Sequence, residues 1–194
     1  DLTELMPDDL DVEEGLIQSY KPALMAITEA PKPWISAING AAAGIGSAFA
    51  MACDLTVMGK GAYIYQAFSA IGLIPDGGAT WHLAHTVGRK RAYELIALGT
   101  KLGAQDCLSL GLCNKVVNDD ELLEQSMLLA QQLCQKAPLS LRYAKEALNQ
   151  AMHSDLSQTI NHEAKLQNIC AHSNDAKEGS RAFLAKRPAK FTGS

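Results

Sequence analysis

One carboxylate stands among apolar residues in the stretch IPDGGATW. Asp76 follows Pro75 and precedes Gly77 and Gly78, with Ile71, Leu73, Ile74, Ala79 and Trp81 close by in the chain. Pro-Asp-Gly is ordinary turn chemistry, so the motif by itself reads as a turn. A carboxyl kept in apolar surroundings holds its proton more tightly, which suits a proton shuttle. A second stretch, NGAAAGIGSAFAMACD (Asn39 to Asp54), has three glycines, many alanines and almost nothing capable of acid–base chemistry. Glycines let a backbone approach a ligand, and the first amides of a helix have no internal partners. The partial positive charge there favours an anion or a developing oxyanion. Three readings stay open on these residues: a dinucleotide fingerprint, an oxyanion hole made of main-chain amides, and close packing of a small-residue helix. The fingerprint fits worst, because Phe49 takes its third glycine position and no acid lies at the ribose offset. A third stretch, FLAKRPAKF, gathers Lys186, Arg187 and Lys190 after a helix. It reads as a phosphate-binding edge or as a solvated basic tail.

The elements that must position these residues follow from periodicity. Leu16, Ile17, Tyr20, Leu24 and Ile27 recur at helical spacing, which predicts a helix over 12–29 that Pro22 bends or begins. WISAI (34–38) is short, apolar and closed by Asn-Gly, as a buried strand would be. A short helix over 46–53 follows, then strands at 54–59 and 62–66. Residues 71–81 form a loop feeding a helix, since Pro75 and Gly77-Gly78 forbid regular structure. Helices are predicted over 80–87, 90–98 and 104–110, with NKVV (114–117) a strand. The rest is nearly all helix: 119–136, 138–152, 156–172 and 176–186. Alternating strands and helices followed by helices alone give an α/β class.

Composition narrows the function. The 194 residues are 47% hydrophobic and 20% charged, with net charge −4, which fits one ordinary globular domain and argues against a general nucleic-acid binder. No apolar run is long enough to span a bilayer. The acidic start, DLTELMPDDLDVEEG, is neither a secretory signal nor a mitochondrial presequence. Five cysteines without a C-x-x-C pair read as free thiols in a reducing cytoplasm. His82 and His85 share a helix face but have no acid or cysteine beside them, so no metal is expected.

The three stretches also occur together and in a familiar order. KPWISAINGAAAGIGSAFAMACD, AFSAIGLIPDGGATWHLAHTVGRKRAYELIALG, AQDCLSLGLCNKVV and KEGSRAFLAKRPAKF resemble the enoyl-CoA hydratase/isomerase (crotonase) superfamily. The resemblance implies a ββα spiral core of the ClpP/crotonase type, with residues 1–135 as its C-terminal portion and 136–194 as a helical trimerisation region. It implies an acyl-CoA thioester substrate, no cofactor beyond the coenzyme A of that substrate, and a homotrimer or hexamer in the cytoplasm. It also places the amide of Ile45, flanked by Gly44 and Gly46, on the thioester oxygen. Lys186 and Lys190 would meet the CoA. Asp1 and Leu2 resemble the end of the first oxyanion loop, so the chain is expected to lack the front of the fold.

Two departures shape the expected chemistry. The glutamates that activate water in the family's hydratases are replaced here by Ala48 and Phe68, and neither can transfer a proton. Asp76 matches the acid of the isomerase branches, those acting on ring-epoxidised phenylacetyl-CoA and on Δ3-enoyl-CoA. The expected activity is therefore an isomerase: Asp76 takes a proton, an enolate rests on Ile45 N–H, and the proton returns at another carbon. Phe68, Leu73 and Trp81 would shape a dry acyl pocket. A hydratase or lyase with non-standard acid–base residues is the alternative, and a catalytically silent binding module a third.

Overall fold

The computed structural model describes residues 11–194, so the resemblance of Asp1 and Leu2 to an oxyanion loop lies outside the described residues. Two compact units divide the described residues: those up to Thr28 with Ile35–Leu123, and Glu29–Trp34 with Glu124–Ser194. The dividing line thus falls after Leu123, and the helix at 122–134 lies almost wholly with the C-terminal helices.

The first unit opens with a helical run, α1 (Val12–Gly15), a π-turn (Leu16–Tyr20) and α2 (Lys21–Thr28). Asp11 caps it by accepting from Glu14 N–H at 2.9 Å. The π-turn explains how Pro22 is tolerated. Proline has no N–H to give and its ring crowds the carbonyl one turn back; the wider turn leaves Lys21 N–H on the Leu16 carbonyl instead. Pro22 thus falls in the first turn of α2, inside a continuous helical run. Leu24 and Ile27 are its buried face.

Among the described residues, six short strands then fill two sheets. The strands β1 (Ile35–Ile38), β3 (Leu55–Gly59) and β6 (Lys115–Val117) run parallel in the order β1-β3-β6. In the second sheet β2 (Ala41–Ala43) pairs parallel with β4 (Tyr63–Tyr65), which pairs antiparallel with β5 (Lys101–Gly103). Each strand of the first sheet up to β3 runs on into one of the second. The joint after β1 is held by Tyr63 N–H donating to the Gly40 carbonyl at 3.0 Å. Asn114 extends the β3–β6 ladder by exchanging two 2.8 Å bonds with the Thr56 backbone. Between sheets and around them lie α3 (Ile45–Ala52), α4 (Ala79–Val87), α5 (Arg89–Leu98) and α6 (Ala104–Ser109). Met58, Ile64, Leu83 and Cys107 are fully shielded in the core, each large apolar side chain contributing roughly 1.5–3 kcal/mol by burial. Burial also pushes the Cys107 thiol up to about 12, with Cys113 adding to it. The strands β2 and β5 and a 3-10 turn at Ala67–Ile71 are not predicted by the periodicity.

The second unit holds α7 (Leu122–Cys134) from Glu124 onward, α8 (Pro138–Ala151), α9 (Leu156–His172) and α10 (Asn174–Leu184). Their starts obey local rules. Pro138 occupies the first turn of α8, where no N–H is needed. Asp155 accepts from Gln158 N–H and Ser173 from Ala176 N–H. Ser173 sets the start of α10 at Asn174, earlier than the Ala176 expected. Among the described residues no helix is long and apolar enough to cross a membrane.

Candidate active site

The small-residue stretch folds as a strand, a tight turn and a helix. Gly44 ends β2 with φ 52° and ψ −129°, a conformation closed to residues with a Cβ. Its N–H donates to the Tyr65 carbonyl at 3.0 Å, one step beyond the β2–β4 ladder. Ile45 then opens α3, so its N–H has no carbonyl one turn back to bond. The Gly44 carbonyl accepts from Ser47 N–H at 2.9 Å and from the Ser47 hydroxyl at 2.6 Å. Ser47 in turn accepts from Gln66 Nε2 at 2.9 Å, in a fully buried contact.

The loop carrying Asp76 rests on the start of the same helix. A Cβ placed on Gly77 would lie 2.5 Å from Ile45 Cδ1, 3.0 Å from Ala48 Cβ and 3.2 Å from Leu24 Cδ1. Gly77 and Gly78 both take positive φ, 57° and 82°, and Ala79 N–H closes the turn on the Asp76 carbonyl at 3.0 Å. Asp76 itself is half-buried. Its Oδ1 is shielded from solvent with no hydrogen-bond partner among the described residues. Burial raises its pKa above the ordinary carboxylate value, against a smaller lowering by a hydrogen bond to its own backbone. One carboxylate oxygen is thus held away from solvent, while Ile71, Leu73, Ile74 and Trp81, the apolar neighbours in the chain, are themselves exposed.

Phe68 is buried and its ring packs against Gly44, whose missing Cβ would stand 3.7 Å from Phe68 Cζ. Ala48 is wholly buried beneath Gly77. Gly44, Ile45, Ala48, Phe68 and the Asp76 loop therefore come together, with Gly46 exposed on the first turn of α3. Leu73 is tied to Phe68 by its N–H on the Phe68 carbonyl at 2.9 Å, yet its side chain is exposed, as is that of Trp81. Trp81 lies against His82 and His85, at ring distances of 5.0 and 4.3 Å. The pocket walls expected of Leu73 and Trp81 are thus solvent-facing in this chain. His82 sits behind the turn: its N–H donates to the Gly78 carbonyl at 3.0 Å. Its burial, and then the charge of His85, lower its pKa.

Lys186 and Lys190 belong to the second unit, and both are exposed. The third cation of that stretch is committed elsewhere: Arg187 makes a two-pronged ion pair with Glu178 at 2.7 and 2.9 Å. Sequence reasoning passed over Ser47 and Gln66. The signal was there for Gln66, a lone amide directly after the apolar YIY strand. Nothing in the pattern marked Ser47.

Comparison with known proteins places this arrangement. The family described as Enoyl-CoA hydratase/isomerase matches residues 1–194. A 1,2-epoxyphenylacetyl-CoA isomerase of Escherichia coli is 38% identical over 183 residues, which cover 94% of this chain and 70% of that protein. A 2,3-dehydroadipyl-CoA hydratase of the same organism is 34% identical over 194 residues, covering 100% of this chain and 75% of the relative. A crystal structure of an enoyl-CoA hydratase from Polaromonas sp. JS666 superposes with a TM-score of 0.94 at 35% identity, over 99% of this chain and 76% of that one. The strand-to-helix turn at Gly44, the two interleaved sheets and the terminal helices are thus those of a crotonase fold, and the chain belongs to the enoyl-CoA hydratase/isomerase family.

Proposed function

We propose that this chain is an acyl-CoA isomerase that shifts a double bond, or opens a ring epoxide, next to a CoA thioester. The observation that carries the reading is Oδ1 of Asp76, buried and without a partner among the described residues, in a loop packed on Ile45 and Ala48. The two positions where a hydratase of this family holds glutamates are Ala48 and Phe68, and both are buried and apolar.

For a 3-enoyl thioester the steps balance with one carboxyl. Asp76 as carboxylate takes a proton from the carbon beside the carbonyl. The electron pair moves onto the thioester oxygen, and the resulting dienolate is stabilised by Ile45 N–H. Asp76, now protonated, returns the same proton at the far carbon of the dienolate. The double bond then stands beside the carbonyl, and the carboxylate is regenerated. A main-chain oxyanion donor contributes about 3 kcal/mol to such a step, and a positioned base ~10²–10⁴-fold in rate. Lys186 and Lys190 are assigned to the CoA phosphates on charge alone. Leu148, Leu156, Phe183 and Leu184 are exposed apolar residues of the second unit, which supports association of copies into a trimer or hexamer.

A hydratase is the second reading, favoured by the hydratase relative at 34% identity. Offering 3-enoyl-CoA and 2-enoyl-CoA separately decides between them. The isomerase reading expects the first to be converted and the second to stay unhydrated. Asp76→Asn should lose at least about 100-fold in turnover while CoA thioester still raises its melting temperature. Hydration of 2-enoyl-CoA, or full turnover by Asp76→Asn, would sink it. Ligand stabilisation without turnover of either substrate would point to a silent binding module.

A further inference from the structure

We propose that Ser47 and Gln66 are positioning residues that make the Ile45 amide a stronger hydrogen-bond donor; the proposal rests on the oxyanion reading above. The geometry fixes the direction of every bond in the chain. Ser47 Oγ stands 2.6 Å from the Gly44 carbonyl oxygen, and a carbonyl can only accept, so the hydroxyl donates. The hydroxyl oxygen is then left as an acceptor, and Gln66 Nε2 at 2.9 Å supplies the donor. That assignment orients the Gln66 amide without ambiguity. A run of bonds of one sense thus leads from Gln66 to Ser47 to the Gly44 carbonyl.

The Gly44 carbonyl and the Ile45 N–H are two ends of one peptide group. Resonance across that group couples them. Donors that draw electron density onto the oxygen make the nitrogen more positive and its N–H a better donor, and chains of bonds reinforce one another where the dielectric is low. The dielectric is low here, since Ser47 is 0% and Gln66 2% exposed. A second observation points the same way. Gln66 Oε1 is buried with no partner among the described residues, a state that disfavours an amide at this place. Leucine or methionine would fill the same volume without it. The amide is useful for its N–H, and that N–H goes to Ser47. Gly44 N–H is meanwhile held by the Tyr65 carbonyl, next to Gln66 in the chain, so strand and side chain fix the same turn.

The test reads the thioester itself. An unreactive acyl-CoA labelled with ¹³C at the carbonyl is bound to the purified protein, and its carbonyl stretch is followed by isotope-edited infrared spectroscopy. The wild-type protein should shift the stretch to lower frequency. Ser47→Ala and Gln66→Met should each shift it less. They should lower kcat about tenfold, with affinity for free CoA unchanged. The double variant should lose no more than Ser47→Ala alone, because Gln66 acts through Ser47. If Ser47→Ala does not fold, Gln66→Met carries the comparison, as it keeps the volume. No shift in the wild type overturns the oxyanion reading and this proposal with it. A wild-type shift kept in full by the folded variants, or losses that add in the double variant, overturns this proposal alone.

Discussion

Asp76 couples function and stability at a single side chain. Its folded pKa lies above the ordinary value of 3.8 because burial disfavours the charged form. The unfolded chain releases this proton at the ordinary carboxylate pH, the folded chain only at higher pH. Between those two values the folded state holds more protons, so stability falls as pH rises through the window and stays lower above it. Asp76→Asn removes the ionisation. It should therefore melt at a higher temperature than wild type at pH 7, with the difference vanishing below about pH 3.8, while turnover is lost. Equal melting of the two proteins across the whole range would show that the carboxylate is not held against its solvation. The same shift moves the acid limb of kcat/KM upward in pH, since the base must be ionised to act. This acid was legible in the sequence because it is the one carboxyl between Leu55 and Arg91 and sits among apolar neighbours. That one oxygen would be left without a partner among the described residues was not, because partners come from segments far along the chain.

Elements place this acid by a contact between two of them. The turn before α4 packs on the first turn of α3 through Gly77, where any Cβ would enter the space of Ile45, Ala48 and Leu24. The positive φ of 57° adds backbone strain for any other residue. Gly77→Ala should cost roughly 1–3 kcal/mol. It should also reduce turnover by about 100-fold, the penalty typical of a 1 Å misplacement. Ile45→Val removes Cδ1, the nearest atom, and should recover part of both losses in the double variant; denaturant melts and initial rates check this. No loss in Gly77→Ala would mean that the loop and the helix move apart freely and that their contact does not set the site. Much of this arrangement could be read beforehand. Glycines directly ahead of an alanine-rich stretch mark where the helix α3 begins. The three-residue strands β2 and β5 could not be, since Ala41–Ala43 is extended only because β4 offers it partners, and so short a segment carries no period.

Across the chain as a whole, the helices of the second unit were plain from their periodicity, and α9 runs over the predicted 156–172. The return of the segment after them was not, because it depends on bonds spanning many residues. Asp175 is 2% exposed. Its two oxygens accept from Thr192 N–H at 2.7 Å and Gly193 N–H at 2.8 Å. The Ser194 carbonyl accepts from Asn174 N–H at 2.7 Å and Asp175 N–H at 3.1 Å, at the start of α10. Glu178 adds the Arg187 pair and accepts from Lys190 N–H at 2.9 Å. The Arg187 hydrogen bonds and then the Lys190 amide hold the Glu178 carboxyl down to about 2. Because this pair stands in water, its contribution to stability is small. What it contributes is present above the ordinary carboxylate pKa of 4.5 and fades as pH falls toward 2. The buried carboxylate should dominate. Asp175→Ala leaves two amides without their charged acceptor and should cost about 3 kcal/mol. It should also open the chain to trypsin after Lys186 and Lys190, the Arg187–Pro188 bond being resistant to it, whereas Glu178→Gln should leave both melting and cleavage near wild type. These three cations lie on the segment that Asp175 ties down, so their placement depends on it more than on their own charge. If Asp175→Ala were cleaved no faster than wild type, the packing of Phe191 against Gly179, where a Cβ would stand 3.4 Å from the ring, would be the stronger tether.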